Sequence, residues 1–221
     1  MVDPLKIEHA FFCVLLGVVL SVHSYGQDRL RHITFDAGAG FSFPVGQLEN
    51  HADTGFNFVA SGGARFNSRL SLGLDFALHY FNVQNSLHNP ATGLNFGLGS
   101  MVRVWSLTVN PTYQFWKAEK FTTYATGGYG LYNRQLQIPA PGPITATGVT
   151  ACEAFWNVCV GNSPAGASIS GNINPYRGGY NVGVGLNFGA RTKFFVETRY
   201  HHMFTTNSPT EIIPLTFGVR W

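Results

Sequence analysis

From Gln27 to the end, the chain alternates between apolar side chains and small or hydroxylated ones. A period of two belongs to β-strands, whose successive side chains point to opposite faces. It predicts eight strands, at about residues 32–43, 56–66, 70–82, 103–116, 121–134, 180–188, 194–204 and 212–221. The third is the clearest: Leu70, Leu72, Leu74, Phe76, Leu78 and Tyr80 oppose Ser71, Gly73, Asp75, Ala77 and His79. In the fifth, glycine and tyrosine occupy both faces, so its facing is open. Pro111 cannot donate to a ladder, and a local bulge is expected there in the fourth strand.

Two sheets could satisfy such strands. A soluble barrel or sandwich would turn the apolar faces inward and cover the outside with charge. Charged residues make up only 11% of this chain, and the polar faces are built from Gly, Ser, Thr and Asn. That composition suits a crowded interior better than a wetted surface. In hydrocarbon a sheet must also close, because every backbone amide needs a partner. The expected fold is therefore all-β: a closed antiparallel transmembrane β-barrel of eight strands, greasy outside and compact inside. Connections after strands two, four and six are short and those after one, three and five are long, the alternation such barrels show. Tyr80, Trp105, Trp116 and Tyr200, near strand ends, fit aromatic girdles.

The apolar run at residues 10–22 is too short for a bilayer of about 30 Å. With Lys6 before it and Ser24-Tyr25-Gly26 after it, it reads as a secretory signal peptide over residues 1–26, leaving a barrel domain over 27–221. Cleavage would remove Asp3, Lys6 and Glu8, moving the formal charge from +3 to +4. No basic cluster accompanies that charge, which argues against nucleic acid. Cys152 and Cys159 remain, an even pair expected to form a disulfide in an oxidising compartment. With no third cysteine or nearby histidine they make a poor zinc site. They lie in the longest loop, about residues 135–177, with Phe155 and Trp156 between them. Those two aromatics fit either an adhesive tip or a hydrophobic mini-core over the barrel mouth.

The inner faces carry Asp36, Arg65, Asp75, Glu197, Arg199 and Arg220, all toward the short-turn end. Buried charges must pair, so an ion network filling the lower lumen is expected. Near the carboxyl terminus, Phe195-Val196-Glu197-Thr198-Arg199-Tyr200-His201-His202 and Leu215-Thr216-Phe217-Gly218-Val219-Arg220-Trp221 resemble the bacterial outer-membrane β-barrel domain family, with its OmpA-like, OmpX-like and opacity-type small barrels. Gly40-Phe41-Ser42-Phe43-Pro44-Val45-Gly46 fits the same pattern. The resemblance implies that Leu215, Phe217, Val219 and the terminal Trp221 form the signal read by the barrel-assembly machinery. Trp221 stands where phenylalanine is more usual.

Fold does not confer function. The resemblance implies a monomer in the outer membrane, surrounded by lipid and lipopolysaccharide, with no cofactor, metal or catalytic residue. A structural or adhesion-like role through the long loops is the first expectation. A porin-like channel for apolar or small polar solutes is the alternative. A lipid-modifying enzyme is the third: related small barrels use a His-x-Ser pair with a carboxylate, but Met203 and Phe204 follow His201 and His202 at that spacing. Ser208 and Glu211 are the only neighbours of the right type.

Overall fold

The computed structural model describes residues 33–84, 88–89, 94–95, 100–119, 121–137, 150–153, 155–156, 158–163, 166–171, 176–189, 192–205 and 208–221. In the strands at 88–89, 94–95, 150–153, 158–163 and 166–171 only the backbone is described. The segment read as a signal peptide lies outside these residues.

Thirteen strands are present among the described residues: β1 (Ile33–Val45), β2 (Gly55–Arg65), β3 (Leu70–Asn82), β4 (His88–Asn89), β5 (Leu94–Asn95), β6 (Met101–Lys117), β7 (Phe121–Gln137), β8 (Thr150–Glu153), β9 (Val158–Ser163), β10 (Gly166–Gly171), β11 (Tyr176–Phe188), β12 (Lys193–Met203) and β13 (Thr210–Arg220). Eight of them close one antiparallel barrel in the order β1-β13-β12-β11-β7-β6-β3-β2. These are the eight the alternation predicts, each within a few residues of its expected bounds. The first and last strands meet from Asp36 opposite Arg220 to Val45 opposite Glu211, so no open edge remains.

The facing follows the alternation. Phe41, Phe56, Phe58, Leu74, Val109, Val182 and Phe217 are exposed on the outside, while Ser42, Asn57, Asp75, Thr108, Asn181 and Thr216 are buried inside. An outer wall of phenylalanine and leucine is stable against lipid and costly against water. The fifth barrel strand, β7, now has a definite facing. Tyr124, Thr126, Tyr132 and Arg134 point inward, and Tyr129 and Leu131 outward. Outward rings meet near both strand ends: Trp105 with Tyr176 and Tyr180 with Tyr200 at the long-loop end, Trp116 with Phe121 and Phe188 with Phe194 at the short-turn end.

Two expectations need correction. Pro111 makes no bulge: it stands in register with Leu72 of β3, and the register shift in β6 falls between Gln114 and Trp116. The ladder to β7 instead passes from Val109–Tyr129 to Thr112–Thr126 without pairing Asn110 or Pro111. There Thr126 Oγ1 donates to the Pro111 carbonyl at 3.3 Å. Asn110 leans over Gly128, where a Cβ would lie 1.9 Å from its Oδ1. The ladder thus skips two pairs without an extra residue, and the Pro111 carbonyl takes a side-chain donor in the gap. The long segment after β7 is also more than a loop, since β8, β9 and β10 form a three-stranded sheet of their own.

Candidate functional site: a lumen filled from both ends

Inward side chains divide the lumen into two storeys. At the short-turn end the guanidinium of Arg199 reaches across the barrel from β12 to β3 and meets Asp75 at 2.6 Å. The same group contacts Glu197 on its own strand at 2.5 Å. Each carboxylate has a further donor: Asn110 Nδ2 bonds Asp75 at 2.8 Å, and Tyr124 Oη bonds Glu197 at 2.9 Å. Arg220 grips Asp36 with two parallel bonds, 2.7 and 2.6 Å, and donates a third to Asn187 at 3.0 Å. Its guanidinium lies over the rings of Tyr124 and Phe195, 5.0 and 5.5 Å from their centroids. Five of the six charges read from the sequence are therefore brought into two ion-paired groups. The sixth, Arg65, stands apart, with no ion pair among the described residues. It ends β2, where the carboxylates of the network are out of reach.

Between the storeys lies a neutral polar layer. His79 and His201 face each other across the barrel, ring centroids 5.3 Å apart. Ser42 Oγ is 2.8 Å from His79 Nδ1, and Tyr132 Oη is 3.0 Å from His201 Nδ1.

The storey at the long-loop end is apolar, which the simple alternation does not suggest. Leu48, Phe81, Val102, Val104, Leu136, Met203 and Ile212 pack there with Phe155 and Trp156. A single 3-10 turn, Leu48–Asn50, carries Leu48 into the mouth. The legible signal is that Phe81, Val102, Val104, Met203 and Ile212 break the polar phase of their strands, all at the same end.

The two aromatics come from the turn between β8 and β9. Cys152 stands directly opposite Cys159 in that hairpin. Its tip turns inward: Phe155 is 7% and Trp156 2% exposed, so they form the mini-core over the mouth and present no adhesive tip. Phe155 stacks on His51 at 4.1 Å. Arg134 of β7 lies beneath both rings, 5.3 and 5.1 Å from their centroids.

The remaining candidates separate. His201 points into the lumen, while His202 faces out and meets Glu211 at 3.2 Å, with Tyr200 Oη donating to the same carboxylate at 2.5 Å. Ser208 is buried, and its Oγ has no partner among the described residues. Among the described residues no serine joins either histidine, and the acid–base pair on the wall has no nucleophile beside it. Leu215, Phe217, Val219 and Trp221 share the outward face of β13 and its last residue.

A closed eight-stranded barrel with an apolar outer wall and a packed interior has the fold of the small bacterial outer-membrane barrels. No protein-family model matches the chain, and no curated protein does. Among solved structures it is similar to Neisserial surface protein A, at 15% identity and a TM-score of 0.55, covering 85% of this chain and 95% of that one. Two further matches are Ail, the attachment invasion locus protein of Yersinia pestis (14% identity, TM-score 0.45, 86% and 98% covered), and the outer membrane protein OprG of Pseudomonas aeruginosa (12%, 0.47, 85% and 95%). At these identities the likeness is one of fold.

Proposed function

We propose that the mature chain is a monomeric, non-enzymatic protein of a bacterial outer membrane, inserted through the assembly signal at Leu215, Phe217, Val219 and Trp221. Its role is structural or surface-interacting, and it is carried by the long-loop end. One observation carries this reading: the lumen is occupied by ion-paired side chains at one end and by an aromatic-capped apolar cluster at the other. A barrel so filled offers solutes no continuous path, which disfavours the channel alternative. With Phe155 and Trp156 turned inward, the surface left for contact is the remainder of the long segments. The hairpin that supplies them is stapled by a Cys152–Cys159 disulfide; directly opposed residues of an antiparallel pair lie near the Cβ spacing a disulfide needs.

Planar-bilayer recording of the refolded barrel tests the closed lumen. Insertion without conductance steps is expected, and steady single-channel steps would refute it. Exchange of residues 138–175 for a short turn, followed by a surface-binding assay, tests the interaction role: binding should fall with the loop.

A further inference from the structure

Arg134 differs from Arg199 and Arg220, the arginines of the ion network. Arg199 and Arg220 each face carboxylates at 2.6 Å or closer. Arg134 is 4% exposed and forms no ion pair among the described residues. Its guanidinium donates to Thr210 Oγ1 at 3.0 Å and to the Phe155 carbonyl at 3.3 Å. A guanidinium has five N–H donors, so three are left without an acceptor among the described residues. Ring contacts with Phe155 and Trp156 offset part of the cost of burying this charge, but they satisfy no N–H.

Two other buried groups at the long-loop end share the deficiency. Trp156, whose ring covers Arg134, is 2% exposed, and its Nε1–H has no acceptor among the described residues. Ser208, two residues before Thr210, has a buried Oγ without a partner among the described residues. Each of the three groups can donate a hydrogen bond. The cluster that packs with Phe155 and Trp156 is apolar, with Leu48, Val102, Met203 and Ile212 among its members. Buried donors without acceptors are uncommon in folded proteins and call for an occupant.

We infer that the barrel mouth is a binding site for a small amphipathic monoanion, a carboxylate bearing a short apolar body. One uncompensated guanidinium sets the charge at a single negative. Arg134 and the Trp156 indole N–H would hold the carboxylate, with Ser208 as a further donor, and the apolar body would lie against the mouth cluster. This is binding, not passage, and does not depend on the barrel's conductance.

The probe is phenylacetate, titrated onto the full mature barrel in phospholipid nanodiscs and followed by calorimetry and tryptophan fluorescence. Phenylacetamide, the same body without charge, and acetate, the same charge without body, are the controls. Saturable one-to-one binding of phenylacetate is expected, roughly tenfold or more tighter than either control, the scale of one charge-assisted bond. Arg134→Met should abolish the preference for phenylacetate over phenylacetamide, with the heat-modifiable gel band showing that the barrel is intact. If that variant does not fold, Trp156→Phe and Ser208→Ala carry the test: the first removes the N–H and keeps an aromatic ring, the second removes only a hydroxyl, and each should weaken phenylacetate binding several-fold. Equal binding of acid and amide, no binding of either, or unchanged affinity in those two variants would overturn the site and leave Arg134 a clamp for the hairpin. Acetate binding as tightly as phenylacetate would overturn the apolar part of the assignment.

Discussion

Arg199→Met removes the charge that spans the lumen and keeps a side chain of similar length. In the native barrel that guanidinium holds Asp75 at 2.6 Å and Glu197 at 2.5 Å, with side-chain exposures of 11%, 7% and 5% for arginine, aspartate and glutamate. The variant leaves two carboxylates in the lumen with one neutral donor each, Asn110 and Tyr124. Breaking a buried pair from one side costs about 3–5 kcal/mol, because the stranded charge keeps its desolvation cost and loses its partner. The surface value, about 0–1 kcal/mol, is excluded by this burial. Adding Asp75→Asn and Glu197→Gln neutralises the stranded groups and should recover all but about 1–2 kcal/mol. Reversible urea unfolding in lipid, followed by tryptophan fluorescence, reads these differences as midpoint shift times slope. A single variant costing under about 1 kcal/mol, or a triple variant no better than the single one, would refute the claim that these charges form a dry, interdependent network.

Other expectations follow from the same geometry. Leu74→Arg places a charge on the exposed outer face of β3 and should cost about 2–4 kcal/mol near the bilayer midplane, measured by the same unfolding. Trp156→Ala empties the mouth cluster and should cost about 3–5 kcal/mol, with His51 and Arg134 losing their ring partner in protease-protection assays. The purified mature protein should show no alkylatable thiol until reduced, and two after reduction, by intact mass. Loss of the staple through Cys152→Ser should cost about 2–3 kcal/mol for so short a loop.

The barrel was legible because a lipid-facing wall forces the strictest alternation a sequence can carry: seven of the eight strands disclose their facing from residue type alone. In β7 the pattern fails locally. Glycines at 127, 128 and 130 carry no polarity, and Tyr124 and Tyr129 take opposite sides. Only the pairing of Tyr129 with Val109 and Tyr180, both outward, fixes which tyrosine meets lipid. Pro111 departs from the expectation because a missing donor need not bring an extra residue: the ladder skips two pairs in unchanged register, and Thr126 supplies a donor to the Pro111 carbonyl. The ionic storey could be anticipated, since buried charges of opposite sign have few alternatives to pairing. That Arg65 stays out depends on its height in the barrel, which residue type does not encode. The apolar storey was the harder feature. Val102 and Val104 sit in an apolar stretch that resembles a strand terminus, and their inward direction shows only once the mouth is closed by Phe155 and Trp156. The same holds for Arg134, whose hydrogen-bond partners come from the hairpin and from the first residue of β13.

The central claim is that the apolar face of every barrel strand meets lipid and the opposite face the packed lumen. Spin labels placed singly from residue 70 to 80 in lipid vesicles test it most directly, with the native cysteines replaced. Collision with dissolved oxygen should peak at Leu70, Leu72, Leu74, Phe76, Leu78 and Tyr80, and fall at each residue between them, with little access for a water-soluble nickel chelate at either set near mid-strand. Access to that chelate rising at the leucines, or no alternation along β3, would contradict the account.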